Sequence, residues 1–410
     1  MRDINEIRKD FPMLQNKTMS GYPLVYLDNA ATTFKPQCVI DTVVDYYTNN
    51  TCNTHRGDYE LSVMVSDAYE NTRVSVAKLI NCKPKEVVFT SGASAALNLV
   101  AYGYGRKHLK NGDVILSTEA EHASNILPWF KVAEETGATI EYIPLTEEGK
   151  LTIDNFMKAL HENVKVVTFA SVTNVMGYIA PVKEMAKLAH EVGAIVVVDG
   201  AQTVAHIKVD VEDEDIDFLA FAGHKLCGPT GVGVLYGKYE LLEITDPFML
   251  GGGSNARFDI CGNILLKDPP YKFESGTPAI EAVLGLKTAV DYILDLGFDY
   301  IMQRERELHD YLVGKMKQLD NIILYNSTAE TGIVTFNVKD VFSQDAASYL
   351  STKGIAVRSG NHCAKILVNV LKTGETIRAS LYFYNTIEEC DVLVEALMTT
   401  TVENCIGIFF

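Results

Sequence analysis

A lysine between an apolar run and a Gly/Pro-rich turn is oddly placed for a solvated charge. Lys225 stands there, in Phe221-Ala222-Gly223-His224-Lys225-Leu226-Cys227-Gly228-Pro229-Thr230-Gly231-Val232-Gly233. Such an amine can lose its proton when desolvated and form a Schiff base with a carbonyl cofactor. The ordinary alternative is a loop lysine whose stem lies over a sheet edge. Earlier in the chain, Val196-Val197-Val198 runs directly into Asp199-Gly200-Ala201-Gln202. An acid in that position could keep a cofactor's pyridinium nitrogen protonated, or simply cap the next helix. Thr90-Ser91-Gly92-Ala93-Ser94 reads as a strand end opening a helix, where N–H groups and a hydroxyl make a phosphate site. His122, after Glu121, could stack on an aromatic cofactor and shuttle protons; alone, it could equally be an inert loop histidine.

The carboxyl-terminal part supplies a different reagent. In Arg358-Ser359-Gly360-Asn361-His362-Cys363-Ala364-Lys365 a cysteine is flanked by Arg, His and Lys, neighbours that favour thiolate. A buried, unreactive cysteine is the bland counterpart. Arg378, in Thr376-Ile377-Arg378-Ala379-Ser380, could clamp a carboxylate through a bidentate pair, or be a surface arginine. Neither GxGxxG nor GxxxxGK[ST] occurs, which disfavours nucleotide loops and a nicotinamide oxidoreductase.

These residues need a scaffold. Short β-branched runs at 86–90, 113–117, 139–143, 165–170, 194–199, 216–222 and 232–236 read as strands, most of them apolar on both faces. Amphipathic segments at 95–107, 126–135, 153–161 and 182–191 lie between them. The alternation predicts a largely parallel sheet that binds ligands beyond its carboxyl ends. From Gly251-Gly252-Gly253 to Pro278 the pattern reads as irregular. Helices at 280–296 and 299–319 follow, then an α+β region with strands near 332–338 and 354–358.

The chain has 410 residues, 47% of them apolar, which allows a large core and more than one domain. A formal charge of −17 argues against nucleic-acid or acidic-membrane surfaces. No run reaches the length of a membrane span, and residues 1–6 lack the apolar core of a signal peptide. Eight cysteines without a CxxC pair suggest neither zinc nor a disulfide framework, hence no metal and a reducing, cytoplasmic setting.

Each feature alone has a mundane explanation, but their order along the chain narrows the reading. Phosphate cup, His, Asp-x-x-Gln, His-Lys and then a reactive-cysteine loop resembles class V enzymes dependent on pyridoxal 5'-phosphate (PLP). Within them it is similar to the SUF-type (group II) cysteine desulfurases and selenocysteine lyases. The likeness runs through Tyr26-Leu27-Asp28-Asn29-Ala30-Ala31-Thr32-Thr33, His55-Arg56-Gly57, Glu121-His122, Gly251-Gly252-Gly253 and Phe273-Glu274-Ser275-Gly276-Thr277-Pro278, besides the segments above.

The resemblance implies an α/β, type I PLP-transferase fold. It would have a large domain (residues 21–278) built on a seven-stranded, mainly parallel sheet, and a smaller α+β domain (279–410) carrying the cysteine. Residues 1–20 would fold back on the smaller domain. By the same resemblance Lys225 would tether the cofactor, His122 stack on its ring, Asp199 pair with the ring nitrogen and Gln202 touch the phenolic oxygen. Ala93, Ser94 and His224 would hold the phosphate, with Thr277 reaching it from the other subunit of a homodimer. Asn174 and Arg378 would bind the substrate carboxylate, with Arg358 beside them.

The implied reaction moves sulfur from L-cysteine to Cys363 and on to a SUF-type acceptor protein for iron–sulfur cluster assembly. L-selenocysteine cleavage, a class V aminotransferase and a non-catalytic sulfur-relay scaffold are the alternatives. Three positions depart from the family pattern. Ala222 stands where a serine usually serves the phosphate. Asn361 replaces a histidine beside the cysteine, and Lys365-Ile366 interrupts a stretch that often continues to a proline, which implies a less fixed loop.

Overall fold

A computed structural model describes residues 3–409; Met1, Arg2 and Phe410 lie outside the described residues. Seven strands form the main sheet: β1 (Val87–Thr90), β2 (Val114–Thr118), β3 (Thr139–Ile143), β4 (Val164–Ala170), β5 (Ile195–Asp199), β6 (Phe218–Ala222) and β7 (Gly233–Gly237). Their spatial order is β1-β7-β6-β5-β4-β2-β3. Only β7 runs against its neighbours, pairing antiparallel with both β1 and β6. The sheet is therefore mainly parallel, as expected.

Period-two alternation explains why these runs form the centre of the molecule. Val114 and Leu116, Val196 and Val198, Leu219 and Phe221 all enter one apolar cluster. The residues between them, Ile115, Val197 and Ala220, enter a second cluster on the opposite face. Strands buried on both faces need apolar side chains at every position, which is why they read as unbroken apolar runs.

Helices cover the sheet. The segments 182–191 and 280–296 are helical over those residues. The expected helix at 95–107 begins earlier, at Ala93, and widens into a π-turn over Ala101–Gly105. A side chain at Gly103 would lie 2.2 Å from the Asp246 carbonyl oxygen, so the chain passes too close there for a Cβ. The helices Gln37–Asn49 (α1) and Glu60–Ile80 (α2), ahead of the first expected strand, pack on Ile280–Leu296. The stretch read as irregular contains an antiparallel hairpin, Asn255–Phe258 with Ile264–Leu266.

A second, four-stranded antiparallel sheet comprises Ile322–Leu324 (β8), Ile333–Val338 (β9), Arg358–Gly360 (β10) and Thr376–Ser380 (β11), in the order β8-β9-β11-β10. It has its own apolar cluster, including Val334, Phe336, Ile377, Ala379 and Leu393. The single strand expected at 354–358 is two. Ile355–Ala356 pairs in parallel with Val25–Tyr26, whereas Arg358–Gly360 pairs with β11. At the amino terminus Phe11 packs on Tyr292, Phe383 and Tyr384. Arg8 pairs with Glu389 at 2.9 Å.

Candidate active site

The carboxyl ends of β5 and β6 meet the start of β7 at one rim, and a cavity of about 510 Å³ opens there. It is lined by Ala93, Ser94, His122, Asn174, Asp199, Gln202, His224, Lys225, Arg358, Cys363 and Arg378. Of the candidate residues only Thr277 lies elsewhere, 3.5 Å from the Asn53 amide.

The reversed strand β7 builds this corner. Its first residue, Gly233, pairs with Thr90 on one side and Ala222 on the other. A Cβ at Gly233 would lie 2.4 Å from Gly92 Cα, so glycine is required for the two turns to touch. The helix Ala93–Val100 (α3) then starts on the same cavity that Lys225 lines. That turn is tied from below: the His224 carbonyl accepts from Thr33 N (3.1 Å) and from Lys35 Nζ (2.9 Å).

Burial lowers the Lys225 pKa to about 8, partly opposed by the carboxylate of Asp199 and reinforced by the guanidinium groups of Arg378 and Arg358. A substantial fraction of the amine is therefore neutral near pH 8, as a nucleophile or general base requires. Asp199 is buried at the end of β5, where one oxygen accepts the Ala201 amide at 2.9 Å. His122 caps the helix Ala123–Thr136 (α4): Nδ1 accepts from Ser124 N at 3.1 Å, which leaves the proton on Nε2 of the neutral ring. Burial, opposed by Asp199 and reinforced by Lys225 and Arg378, holds its pKa below the usual histidine value. Behind it, Glu121 accepts from Thr118 (2.5 Å) and Asn125 (2.7 Å), and burial raises its pKa to about 7.

Two arginines meet across the cavity at a residue that sequence reasoning quoted but gave no role. Asp28 accepts from the buried Arg378 (Nη2, 3.1 Å) and from the more exposed Arg358 (Nε, 3.2 Å). Arg378 also donates to the Asn174 carbonyl at 2.8 Å. Nothing local marks Asp28 as their partner, since 330 positions separate it from Arg358. The signal was the quoted Leu27-Asp28-Asn29 segment itself.

Cys363 is exposed at the cavity rim. The flanking histidine is not the cation expected of it. His362 is buried, with Nε2 3.0 Å from Thr376 Oγ1, and burial with the charge of Arg378 lowers its pKa to about 3. Only arginine and lysine can supply positive charge around the sulfur near neutral pH. Lys365 starts a 3₁₀ turn over Lys365–Leu367, and Asn361 Nδ2 donates to the Gly374 carbonyl, so two of the three departures from the family pattern are built into the loop.

Several buried polar atoms on this wall have no partner within the protein: Gln202 Oε1, Asn174 Oδ1 and Arg378 Nε. Uncompensated atoms of this kind are costly. A substrate carboxylate would accept from the Arg378 Nε–H, while Gln202 Oε1 and Asn174 Oδ1 are acceptors that a ligand's hydroxyl or ammonium group would satisfy, so the residues present fit PLP and an amino-acid substrate.

The aminotransferase class-V family model matches residues 25–393. This chain belongs to that family. Among class-V relatives, a probable cysteine desulfurase of Halalkalibacterium halodurans is 44% identical over 399 residues, covering 97% of each chain. One of Synechocystis is 43% identical, covering 96% of this chain and 94% of its own. The apo cysteine desulfurase of Thermococcus onnurineus superposes with a TM-score of 0.92 at 37% identity, over 97% of this chain and 98% of its own. The cysteine desulfurase CsdA of Escherichia coli, solved as its S-sulfonic acid, gives 0.90 at 33% over 100% and 99%.

Proposed function

We propose that this chain is a PLP-dependent cysteine desulfurase that leaves the substrate sulfur as a persulfide on Cys363. The observation that carries the reading is the presence of an amine with lowered pKa and an accessible thiol on the walls of one cavity. Full-length similarity to cysteine desulfurases supports it.

Lys225 would hold the cofactor, Asp199 the proton on its ring nitrogen, Gln202 its phenolic oxygen, and the amides and hydroxyl at Ala93 and Ser94 its phosphate with His224. When bound, PLP supplies an electron sink for the bond-breaking steps at the substrate's α-carbon. Arg378, with Asn174 and Arg358, orients the substrate carboxylate; its unpaired Nε is a ready donor. Lys225 takes the α-proton, as its pKa of about 8 permits. Neutral His122 exchanges a proton through Nε2. The Cys363 thiolate takes the sulfur, so that L-cysteine and one enzyme thiol become L-alanine and one persulfide. That balance needs no external oxidant or reductant.

Thr277, remote from its own cavity, completes a second copy's phosphate site in a homodimer. The exposed apolar side chains of Phe258, Ile260, Ile264 and Leu265 on the hairpin support such pairing. An acceptor protein of the SUF type would then remove the persulfide for cluster assembly. Residues 21–278 would form the cofactor domain and 279–410 the domain that presents Cys363. Among the described residues no helix is long and apolar enough to cross a membrane.

Incubating the PLP-loaded protein with L-cysteine tests the reading. One alanine and one persulfide-bound sulfur per first turnover are expected, and absence of alanine would sink it.

A further inference from the structure

The backbone that presents Cys363 is held in an unfavourable shape. His362 and Cys363 are consecutive non-glycine residues in the left-handed region, with φ of 51° and 58°. Side chains with a Cβ seldom adopt that region twice in succession. The pair persists only if its surroundings hold it.

On the small-domain side, His362 Nε2 meets Thr376, and Asn361 Nδ2 reaches the Gly374 carbonyl. From the large domain come two donors. Asn174 Nδ2 donates to the His362 carbonyl at 2.8 Å, and the backbone N–H of Ala123 donates to the Cys363 carbonyl at 2.7 Å. Both are rooted in the cavity wall. Asn174 follows β4 and accepts Arg378 through its own carbonyl, and Ala123 begins α4 one residue after His122.

We propose that the Asn174 carboxamide and the Ala123 amide are positioning groups that pin the strained His362–Cys363 turn, and so register the sulfur against His122 and Arg378. The inference rests on the desulfurase reading and adds to it. Asn174 is then a latch for the nucleophile's loop as well as a carboxylate ligand. Because its carboxamide and its carbonyl join the loop to Arg378, a substrate carboxylate arriving at Arg378 is felt at Cys363.

Proline at position 123 is a clean test. Ala123 is the first residue of the helix, where proline is welcome, and His122 already has the extended backbone (φ −63°, ψ 143°) that precedes proline readily. Ala123→Pro therefore deletes one donor and spares the helix, while Asn174→Ala deletes the other. Hydrogen exchange of the PLP-loaded, cysteine-free protein is the first readout. Amides of residues 359–366 are expected to exchange about three- to tenfold faster in each variant, the factor for one lost neutral hydrogen bond, with those of 124–136 unchanged. In a single turnover with L-cysteine, Ala123→Pro should slow persulfide formation while the cysteine concentration for half-saturation stays at the wild-type value. Wild-type loop exchange in both variants would overturn the latch. If proline instead loosens 124–136, Asn174→Ala decides by the same exchange readout. A ligand-only Asn174 would raise the half-saturating cysteine concentration and leave the loop's exchange untouched. The exchange arm contains no cysteine, so it stands or falls separately from the desulfurase reading.

Discussion

Arg73→Met is expected to destabilise the fold by about 3–5 kcal/mol, the usual result of removing one partner from a buried ion pair. The guanidinium is buried and makes five hydrogen bonds: two to Glu274 (2.8 and 3.0 Å), two to Glu70 (2.9 and 3.3 Å) and one to the Val87 carbonyl (2.7 Å). Glu274 in turn accepts the Phe89 amide at 2.8 Å, inside β1. The pair therefore joins α2, the strand leading to Ser94 and the segment leading to Thr277. Glu274→Gln keeps the shape, but its NH₂ must face either a guanidinium N–H or the Phe89 N–H, donor against donor, at a cost of about 3 kcal/mol. In the double variant no guanidinium remains to oppose, and the carboxamide oxygen can still take the Phe89 N–H. The second change should then add only about 1 kcal/mol, a coupling of about 2 kcal/mol. Urea unfolding of the wild type, both singles and the double, compared at equal slope, measures it. Additivity within about 0.5 kcal/mol would refute the reasoning, because it would mean that the two groups do not sense each other.

Four further outcomes are expected. Burial alone would raise the Glu70 pKa, but hydrogen bonds from His55 and Arg73 lower it to about 2. With the folded value below the unfolded one, the stabilisation is full above about pH 4.5 and fades as pH falls toward 2; acid titration of stability should show this slope flattened in Arg73→Met. In the cofactor-free protein, acylation of Lys225 followed by peptide mass spectrometry should rise with pH through a midpoint near 8, and a midpoint above 10 would contradict its burial. Cys363→Ser should retain the visible cofactor band and yield no persulfide; continued persulfide formation would relocate the nucleophile. Ala222 lines the cavity, so Ala222→Ser should add a hydrogen bond to a charged group and slow PLP loss in dialysis by at least about tenfold.

Much of this molecule is legible in its sequence. Strands with apolar residues on both faces announce themselves, and all seven of the main sheet lie within two residues of where they were read. The helices α1 and α2 did not announce themselves. Of the thirteen residues in α1 only Val39 and Tyr46 are buried, and exposed Ile40, Val44 and Tyr47 blur its apolar stripe. The hairpin at 255–266 presents its apolar residues to solvent, so no core-facing alternation marks it. Candidate side chains were readable because their chemistry is carried by type and neighbours. Their charge states were not. His362 is neutral because the tertiary structure buries it, and Asp28 bridges two arginines, offsetting one of their two charges, because the fold closes a loop of more than three hundred residues.

The direction of β7 has a mechanical outcome. Because this strand returns between β1 and β6, the Lys225 turn, proposed to tether the cofactor, and the Gly92 turn, opening toward the helix proposed to hold its phosphate, share one glycine corner. Grip and tether cannot drift apart independently. A mutation that swells that corner would release the vitamin's two ends together, so a damaged enzyme would empty itself rather than hold its coenzyme by one end and misfire.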